Sequence, residues 1–536
     1  MPVCGGEQHG LAPNGYAHRM AKPGRSISLP ILETPAWPPG LEPGVCGDAP
    51  KEKCGVVGVW NHHDAVHKVY LGLYAQQHRG QESAGIAVAD GKAIHGHSGM
   101  GLVSDVFRTR DLAALGARLG ALGEEKPDEQ PAIGGAIGHN RYSTSGGSLA
   151  CNVQPLIESF LGQTDSQQVA VAHNGNLINA EALRRRFAQA GHLFHTTSDT
   201  EVMIHLLAEP AQRDTPDPLA AMLRRLQGAF SVVFLYPDRI EAARDPWGWR
   251  PLVLGRLPNG TDCVCSETVA LDVMGAEFVR EVEPGEVVTL DRHGVTSRRF
   301  APQAKRLAMC VFEHVYFASP ASSVFGQNVL IARELFGEAL AKEAPAAADL
   351  VMPMPDSGRS AANGFARASG LPYREGIVPN RYVGRTFIKP TQGERRDAVR
   401  LKLNVVNEIV EGQRVVVVDD SIVRGTTTRE KMSQLREAGA SEIHLRISCP
   451  PIRHPCYFGV DFATRDQLIA HNREIEQIRG FLGVDSLAYL SLAGLLSVMK
   501  HEPASYCTAC FSGEYRIDVE HPVTERVLER SQMGMF

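Results

Sequence analysis

The chain has 536 residues, more than one ordinary core serves, so two domains are expected. Its 55 Lys and Arg against 60 Asp and Glu leave a net charge of −5, which argues against a surface given over to nucleic acid. Hydrophobic residues make up 43% and charged residues 21%, a globular balance, and no apolar run reaches the ~18 residues of a membrane span.

Residues 1–50 hold 17 Pro and Gly, against 68 in the remaining 486. Such a leader (1–53) cannot bury a core and is expected to be disordered. It lacks the continuous apolar segment of a secretory signal and the Arg excess of a transit peptide. The cytoplasm is the expected compartment, where eleven Cys read as catalytic, metal-binding or inert rather than as disulfides.

From Cys54 to about residue 305 short apolar runs predict strands at Cys54–Trp60, Ala84–Ala89, Gly134–His139, Gln168–Ala172 and Ala229–Tyr236. Helices are predicted over 179–190 and 198–208, the second opened by a Ser198/Glu201 capping box. Strand groups with segregated helices suggest an α+β layered domain. From about 306 the rhythm becomes βαβ. A helix over 329–348, a strand at Leu350–Met354, a helix to Gly370, a strand at Arg414–Val418, a helix over 427–438 and a strand over 442–448 predict a parallel α/β sheet.

The sharpest signal is Val415–Thr427, four valines followed by Asp419-Asp420-Ser421 and then Gly425-Thr426-Thr427. A strand buried on both faces ends in two carboxylates at the edge where open α/β sheets bind ligands. The turn behind them offers hydroxyls, backbone N–H groups and the positive end of a helix, which suit phosphate. The carboxylates suit sugar hydroxyls or a Mg²⁺ ion. A ligand with both a diol and a phosphate satisfies the set, and the segment matches the phosphoribosyltransferase signature. The bland alternative is a strand–turn–helix with solvent-facing acids, costly for two adjacent buried carboxylates. Asp356-Ser357-Gly358 ends another strand at the same edge, and the basic stretch from Asn380 through Arg385 and Lys389 to Arg396 reads as a lid over a polyanion or as a solvated loop.

Cys54 begins the first strand directly after the leader. With the leader removed it would carry a thiol and a free α-amine, the N-terminal-nucleophile arrangement. Arg141 is placed to clamp a carboxylate, Asn174 and the Gly175 N–H to form an oxyanion hole, and Asp199 to accept an ammonium group. Together they describe an α-amino acid cleaved at its side-chain amide, glutamine. Taken singly, a surface ion pair, an Asn-Gly hairpin turn and a helix cap are equally good readings.

These segments resemble the amidophosphoribosyltransferase (glutamine phosphoribosylpyrophosphate amidotransferase) family over about residues 46–525, through Gln77–Gly85, Arg141–Thr144, His173–Asn176, Ser198–Glu201, Arg244–Pro251 and Val415–Thr427. The resemblance implies an α+β N-terminal-nucleophile glutaminase domain at 54–305, an α/β type I phosphoribosyltransferase domain at 306–500 and a tail at 501–536. It implies Mg²⁺ near Ser357, Asp419 and Asp420, and 5-phosphoribosyl 1-pyrophosphate (PRPP) held by Asp419, Asp420, Ser421, Gly425, Thr426, Thr427 and the loop cations Arg385 and Lys389. The reaction implied hydrolyses glutamine and delivers its ammonia internally to PRPP, giving 5-phosphoribosylamine at the first committed step of purine synthesis. Feedback by purine nucleotides and a homo-oligomer, expected as a tetramer, come with it. The leader is long for a family pro-peptide, so Met20 is an alternative start.

Cys507-Thr-Ala-Cys510 is by itself a weak pair. One branch of the family holds a four-iron four-sulfur cluster, and the resemblance makes Cys310, Cys456, Cys507 and Cys510 its ligands. Zn²⁺ is the competing occupant and a set of buried thiols the bland one. Two other classes remain open on the residues. An amidotransferase with a different acceptor is opposed by Val415–Thr427. A non-enzymatic PRPP sensor is opposed by the Cys54, Arg141, Asn174 and Asp199 set.

Overall fold

Alternation in the first strand, Gly55–Trp60, sets the architecture of the amino-terminal half. Val57 and Val59 point to one core, with Leu73 of helix Ala65–Ala75 and Leu271 of helix Thr268–Met274. Val56 and Trp60 point to another, packed on Ala170, Ala172, Val233 and Leu235 of a second sheet. The computed structural model describes residues 54–120, 134–142, 149–161, 166–380, 403–460 and 465–519.

Two antiparallel sheets stack face to face. One has seven strands in the order Glu277–Glu281, Val253–Arg256, Asp262–Cys265, Gly55–Trp60, Gly135–Arg141, Ser83–Ala89 and Ile94–Met100. The other has six, in the order Gly294–Arg299, Glu286–Asp291, Arg239–Arg244, Gly228–Tyr236, Ser166–Leu177 and Leu156–Leu161. A helix layer covers each outer face, the second through Leu183, Phe187, Val202, Leu206 and Leu223. This layered arrangement is the predicted α+β domain, and all five predicted strands are present.

The capping box is not. Helix Glu201–Ala208 starts at Glu201, with Thr200 as N-cap and no side-chain cap bond. The Glu201 carboxylate instead accepts from the N–H groups of His195 and Thr196, closing the loop before the helix. Glu201 therefore spends its acceptors on the loop, and Ser198 turns its hydroxyl to Thr200 and Asp199.

In the carboxy-terminal half, Leu350–Pro353, Arg414–Asp419, Glu442–Ile447 and Ser486–Tyr489 form a parallel sheet in that order. Val415 to Val418 are wholly buried, at about 1.5–3 kcal/mol of transfer free energy for each side chain. The helix predicted over 329–348 ends earlier, as Val329–Glu343. Strand Ser486–Tyr489 and helix Ile475–Leu482 were not expected. Among the described residues no helix is long and apolar enough to cross a membrane.

A buried charge network joins the halves. Glu313, in the π-helical turn Glu313–Phe317, accepts from Arg79 Nη2 at 2.6 Å and from Arg250 Nη1 at 3.1 Å. Arg79 Nε also meets Glu267, whose other oxygen accepts from the Ser319 N–H at 2.8 Å and the Ser322 hydroxyl at 2.6 Å. All four charged side chains are buried, so each pairs with an opposite charge that offsets its desolvation.

Candidate active site

Register places the first set of site residues. Strand Gly55–Trp60 pairs with Gly135–Arg141, Gly55 opposite Asn140, so Cys54 lies beside Arg141. The Cys54 thiol is buried and donates to the Tyr142 carbonyl at 3.8 Å. Burial pushes it up to about 11, only partly opposed by the Tyr142 backbone and the Arg141 guanidinium. It therefore holds its proton at neutral pH, and a nucleophilic role requires a base at the moment of attack.

His173-Asn174-Gly175-Asn176 does not follow its strand, as the sequence suggested, but lies within it. Asn174 pairs with Ser231 and Gly175 with Phe230, which removes the hairpin-turn reading. Gly175 has φ +156°, and a Cβ there would stand 2.0 Å from the Ala229 carbonyl oxygen. Only glycine fits such a position. The Nδ2 of Asn174 is buried without a hydrogen-bond partner, a donor held ready for an incoming acceptor. The strand is braced from behind. Gln154 Oε1 accepts from the His173 N–H at 2.8 Å, and His139 Nε2 lies 3.0 Å from the His173 carbonyl. Burial lowers His139 to about 3, so its imidazole is neutral and able to donate there.

Asp199 completes the group. Its Oδ2 accepts from the Leu177 N–H at 3.0 Å, and its Oδ1 stands 3.7 Å from His173 Nδ1. Burial alone would raise this carboxyl, but His173, the Leu177 N–H and Arg141 hold it below the usual range. It is a buried, ionised acceptor beside a buried cation, the pair needed to grip an amino acid's ammonium and carboxylate ends. Cys54 feels the charges of both.

The second group sits at the carboxyl edge of the parallel sheet. Asp419, Asp420 and Ser421 are all buried. Asp420 Oδ1 accepts from the Ser357 hydroxyl at 2.8 Å and Oδ2 from the Ser421 hydroxyl at 3.0 Å. Asp419 Oδ1 accepts from the Asp420 N–H at 2.9 Å. Gly425 precedes helix Thr426–Glu437, whose N-terminus opens on the same turn. Ser357 thus meets Asp420 at the shared sheet edge, as the sequence suggested. Arg385 and Lys389 lie outside the described residues. Their flanks, Ile377–Pro379 and Leu403–Val405, pair as an antiparallel ribbon.

The four cysteines converge from three distant segments. Met309–Cys310 pairs in parallel with Tyr506–Cys507, Cys310 opposite Cys507, and the Cys510 carbonyl accepts from the N–H groups of Arg453 and His454. Burial pushes all four thiols up; Cys510 is raised further by Cys456, Cys507 and Cys310. Four thiols that repel one another's thiolates in a buried site suit a cation that replaces their protons. Among the described residues no group of three or more His, Cys, Asp or Glu is gathered for a single metal ion. A four-iron four-sulfur cluster held by Cys310, Cys456, Cys507 and Cys510 would supply a structural cross-link.

The arrangement defines a class, a glutamine-type amidotransferase whose second half is a phosphate-and-diol-binding α/β domain. The comparisons agree. Residues 139–273 match the glutamine amidotransferase domain model. The chain is 45% identical over 487 residues to an amidophosphoribosyltransferase of Methanothermobacter thermautotrophicus, covering 90% of this chain and 98% of that protein. It is 45% identical over 481 residues to a chloroplastic amidophosphoribosyltransferase of Glycine max, covering 89% and 80%. The solved glutamine PRPP amidotransferase from B. subtilis, complexed with ADP and GMP, superposes with a TM-score of 0.79 at 42% identity, covering 89% of this chain and 100% of that one. The chain belongs to the amidophosphoribosyltransferase family.

Proposed function

We propose that this protein makes 5-phosphoribosylamine, glutamate and pyrophosphate from glutamine, water and PRPP, the first committed step of purine synthesis. One observation carries the reading. A buried aspartate pair at a parallel sheet edge shares its chain with a buried thiol flanked by one fixed cation and one fixed anion. Arg141 binds the glutamine carboxylate and Asp199 its ammonium group. The Cys54 sulfur attacks the side-chain amide carbon while the Cys54 α-amine, freed by loss of the leader, takes the thiol proton. Asn174 Nδ2 and the Gly175 N–H hold the oxyanion. The amine returns the proton to the departing ammonia, and water hydrolyses the thioester to glutamate.

Ammonia then reaches the second site inside the protein, because in water at pH 7 it would be mostly protonated and unreactive. There it attacks the ribose anomeric carbon and displaces pyrophosphate. Asp419 and Asp420 hold the ribose hydroxyls, and the Ser421–Thr427 turn binds the 5-phosphate. Mg²⁺, held by Ser357, Asp419 and Asp420, would neutralise the leaving pyrophosphate. A four-iron four-sulfur cluster on Cys310, Cys456, Cys507 and Cys510 would serve as a structural cross-link. Purine-nucleotide feedback, a homo-oligomer and a cytoplasmic location complete the proposal.

The direct test mixes purified protein with glutamine and PRPP; release of neither glutamate nor pyrophosphate would leave a sensor instead of an enzyme. Intact mass, with iron and sulfide content, is expected to show a chain beginning at Cys54 and four irons per chain, and one zinc in their place would remove the cluster. The pH profile is a third check. Asp199, held below the usual carboxylate range, stays charged through the neutral region, and its contribution is lost only as pH falls through that lowered value. The acid limb of kcat/KM for glutamine is therefore expected to follow the α-amine, near pH 7.7–8.0 by its ordinary value of about that size. A profile flat from about pH 6 to about pH 9 would exclude the amine as base.

A further inference from the structure

The mechanism uses Gly175 but leaves unexplained why its peptide is held from outside its own domain. On one side, strand Gly228–Tyr236 fixes it through the Gly175–Phe230 register. On the other lies a loop of the carboxy-terminal half. Asn176 Nδ2 donates to the Tyr457 carbonyl at 2.9 Å. Gly459 has φ +98°, and a Cβ on it would come within 3.3 Å of the Gly175 carbonyl carbon and 2.9 Å of Arg250 Nη2.

Arg250 ties this loop down. Its Nη2 donates to the Phe458 carbonyl at 2.8 Å and to the Gly459 carbonyl at 2.7 Å, while its Nη1 donates to Glu313 at 3.1 Å. Its own carbonyl accepts from the Ser231 hydroxyl at 3.2 Å, and Ser231 is the cross-strand partner of Asn174. The neighbouring Trp249 stacks on Phe458 with ring centroids 4.4 Å apart and planes 19° from parallel. The guanidinium is buried. Arg250 thus holds the loop that abuts Gly175 with its side chain, and its backbone carbonyl meets the strand that pairs with Asn174.

We propose that Arg250 is a positioning residue for amide cleavage: by clamping the Tyr457–Gly459 loop against the Gly175 carbonyl it sets the orientation of the glycine whose N–H meets the oxyanion. The proposal rests on the oxyanion role assigned above to Asn174 and Gly175. It makes the glutaminase depend on a segment of the transferase half, so that the two halves share one scaffold at the thioester step. Lysine at this position keeps the charge beside Glu313 but not the fork that reaches two carbonyls and a carboxylate together.

The test uses the full-length enzyme. Losing one oxyanion donor costs about 10²–10³ in kcat, and a displaced donor should cost less, about 10- to 100-fold. Arg250→Lys is therefore expected to lower glutamine-hydrolysis kcat by about 10- to 100-fold, with glutamine KM changed less than about threefold and the ammonia-dependent reaction kept. Gly459→Ala, which leaves every charge in place, is expected to give the same split. Adding Asn174→Ala to either variant should cost less than the product of the single effects, because both act on one oxyanion site. Equal loss of the glutamine- and ammonia-dependent reactions in both variants would reduce Arg250 to a structural residue and overturn the proposal, as would an unchanged kcat. Asn174→Ala alone separates the two layers. If it leaves hydrolysis intact, the oxyanion reading itself fails; if it lowers kcat while Arg250→Lys and Gly459→Ala do not, only the positioning role fails.

Discussion

Cys54→Ala is expected to abolish glutamine-dependent synthesis, by ~10⁴-fold or more, while synthesis from added ammonia continues. The thiol is the nucleophile in this reading, and no second one is assigned. Its removal deletes one sulfur from a buried position and leaves Arg141, Asp199 and Asn174 in place, so glutamine should still bind. The aspartate pair is built on a different sheet, where Asp420 accepts from Ser357 and Ser421. Steady-state rates with glutamine and with ammonium salt at alkaline pH make the comparison. Parallel loss of both rates in a folded variant would mean one shared site and would end the two-site reading.

Asp420→Asn should do the opposite and strike both routes, because each needs the same phosphoribosyl ligand. The amide keeps the shape of the carboxylate but loses its charge and one of its two acceptors. Those acceptors are engaged, one by Ser357 and one by Ser421, so one hydroxyl would face an N–H₂ group. Removing a preorganised charge at a reacting centre typically costs about 10²–10³ in rate, and a fall of about 10²-fold or more is expected with either nitrogen source. Arg333, buried on helix Val329–Glu343, feels the Asp420 charge and would lose part of its compensation. A melting curve is therefore read beside the rates. Unchanged turnover in a folded variant would take Asp420 out of the site.

Much of this was legible in the residues because the determinants are local. Four valines followed by two aspartates and a Gly-Thr-Thr turn specify strand, edge and helix within one short stretch. Cys54 was placed at a strand start by the same reasoning, and Ser357 reached the aspartates because two strands of a parallel sheet end at one edge. What was missed is long-range. Nothing near Arg79 or Glu313 announces their pairing, which spans 234 positions. Edge strand Ile94–Met100, with its alternating exposure and two histidines, lacks an apolar run to reveal it. The short strand Ser486–Tyr489 hides for the opposite reason, since Leu490 and helix Leu492–Ser497 follow it in one apolar stretch. The Ser198/Glu201 pattern misled because spacing shows which bonds are possible, while the loop at His195–Thr196 decided which were made. The four cysteines were grouped by resemblance alone; their convergence is a property of the folded chain.

The pairing of Met309–Cys310 with Tyr506–Cys507 has a bearing on biosynthesis. The strand that opens the second half gains its partner only after the whole parallel sheet has been synthesised. The ribosome must therefore have passed Cys507 before this seam can shut. Until then Trp249 and Phe458, whose neighbours include Cys507 and Tyr515, present an uncovered aromatic surface. A nascent chain stalled before Tyr506 would be sticky and a natural client for chaperones, and loss of the Tyr506–Cys507 strand should harm solubility before it touches either set of reacting groups.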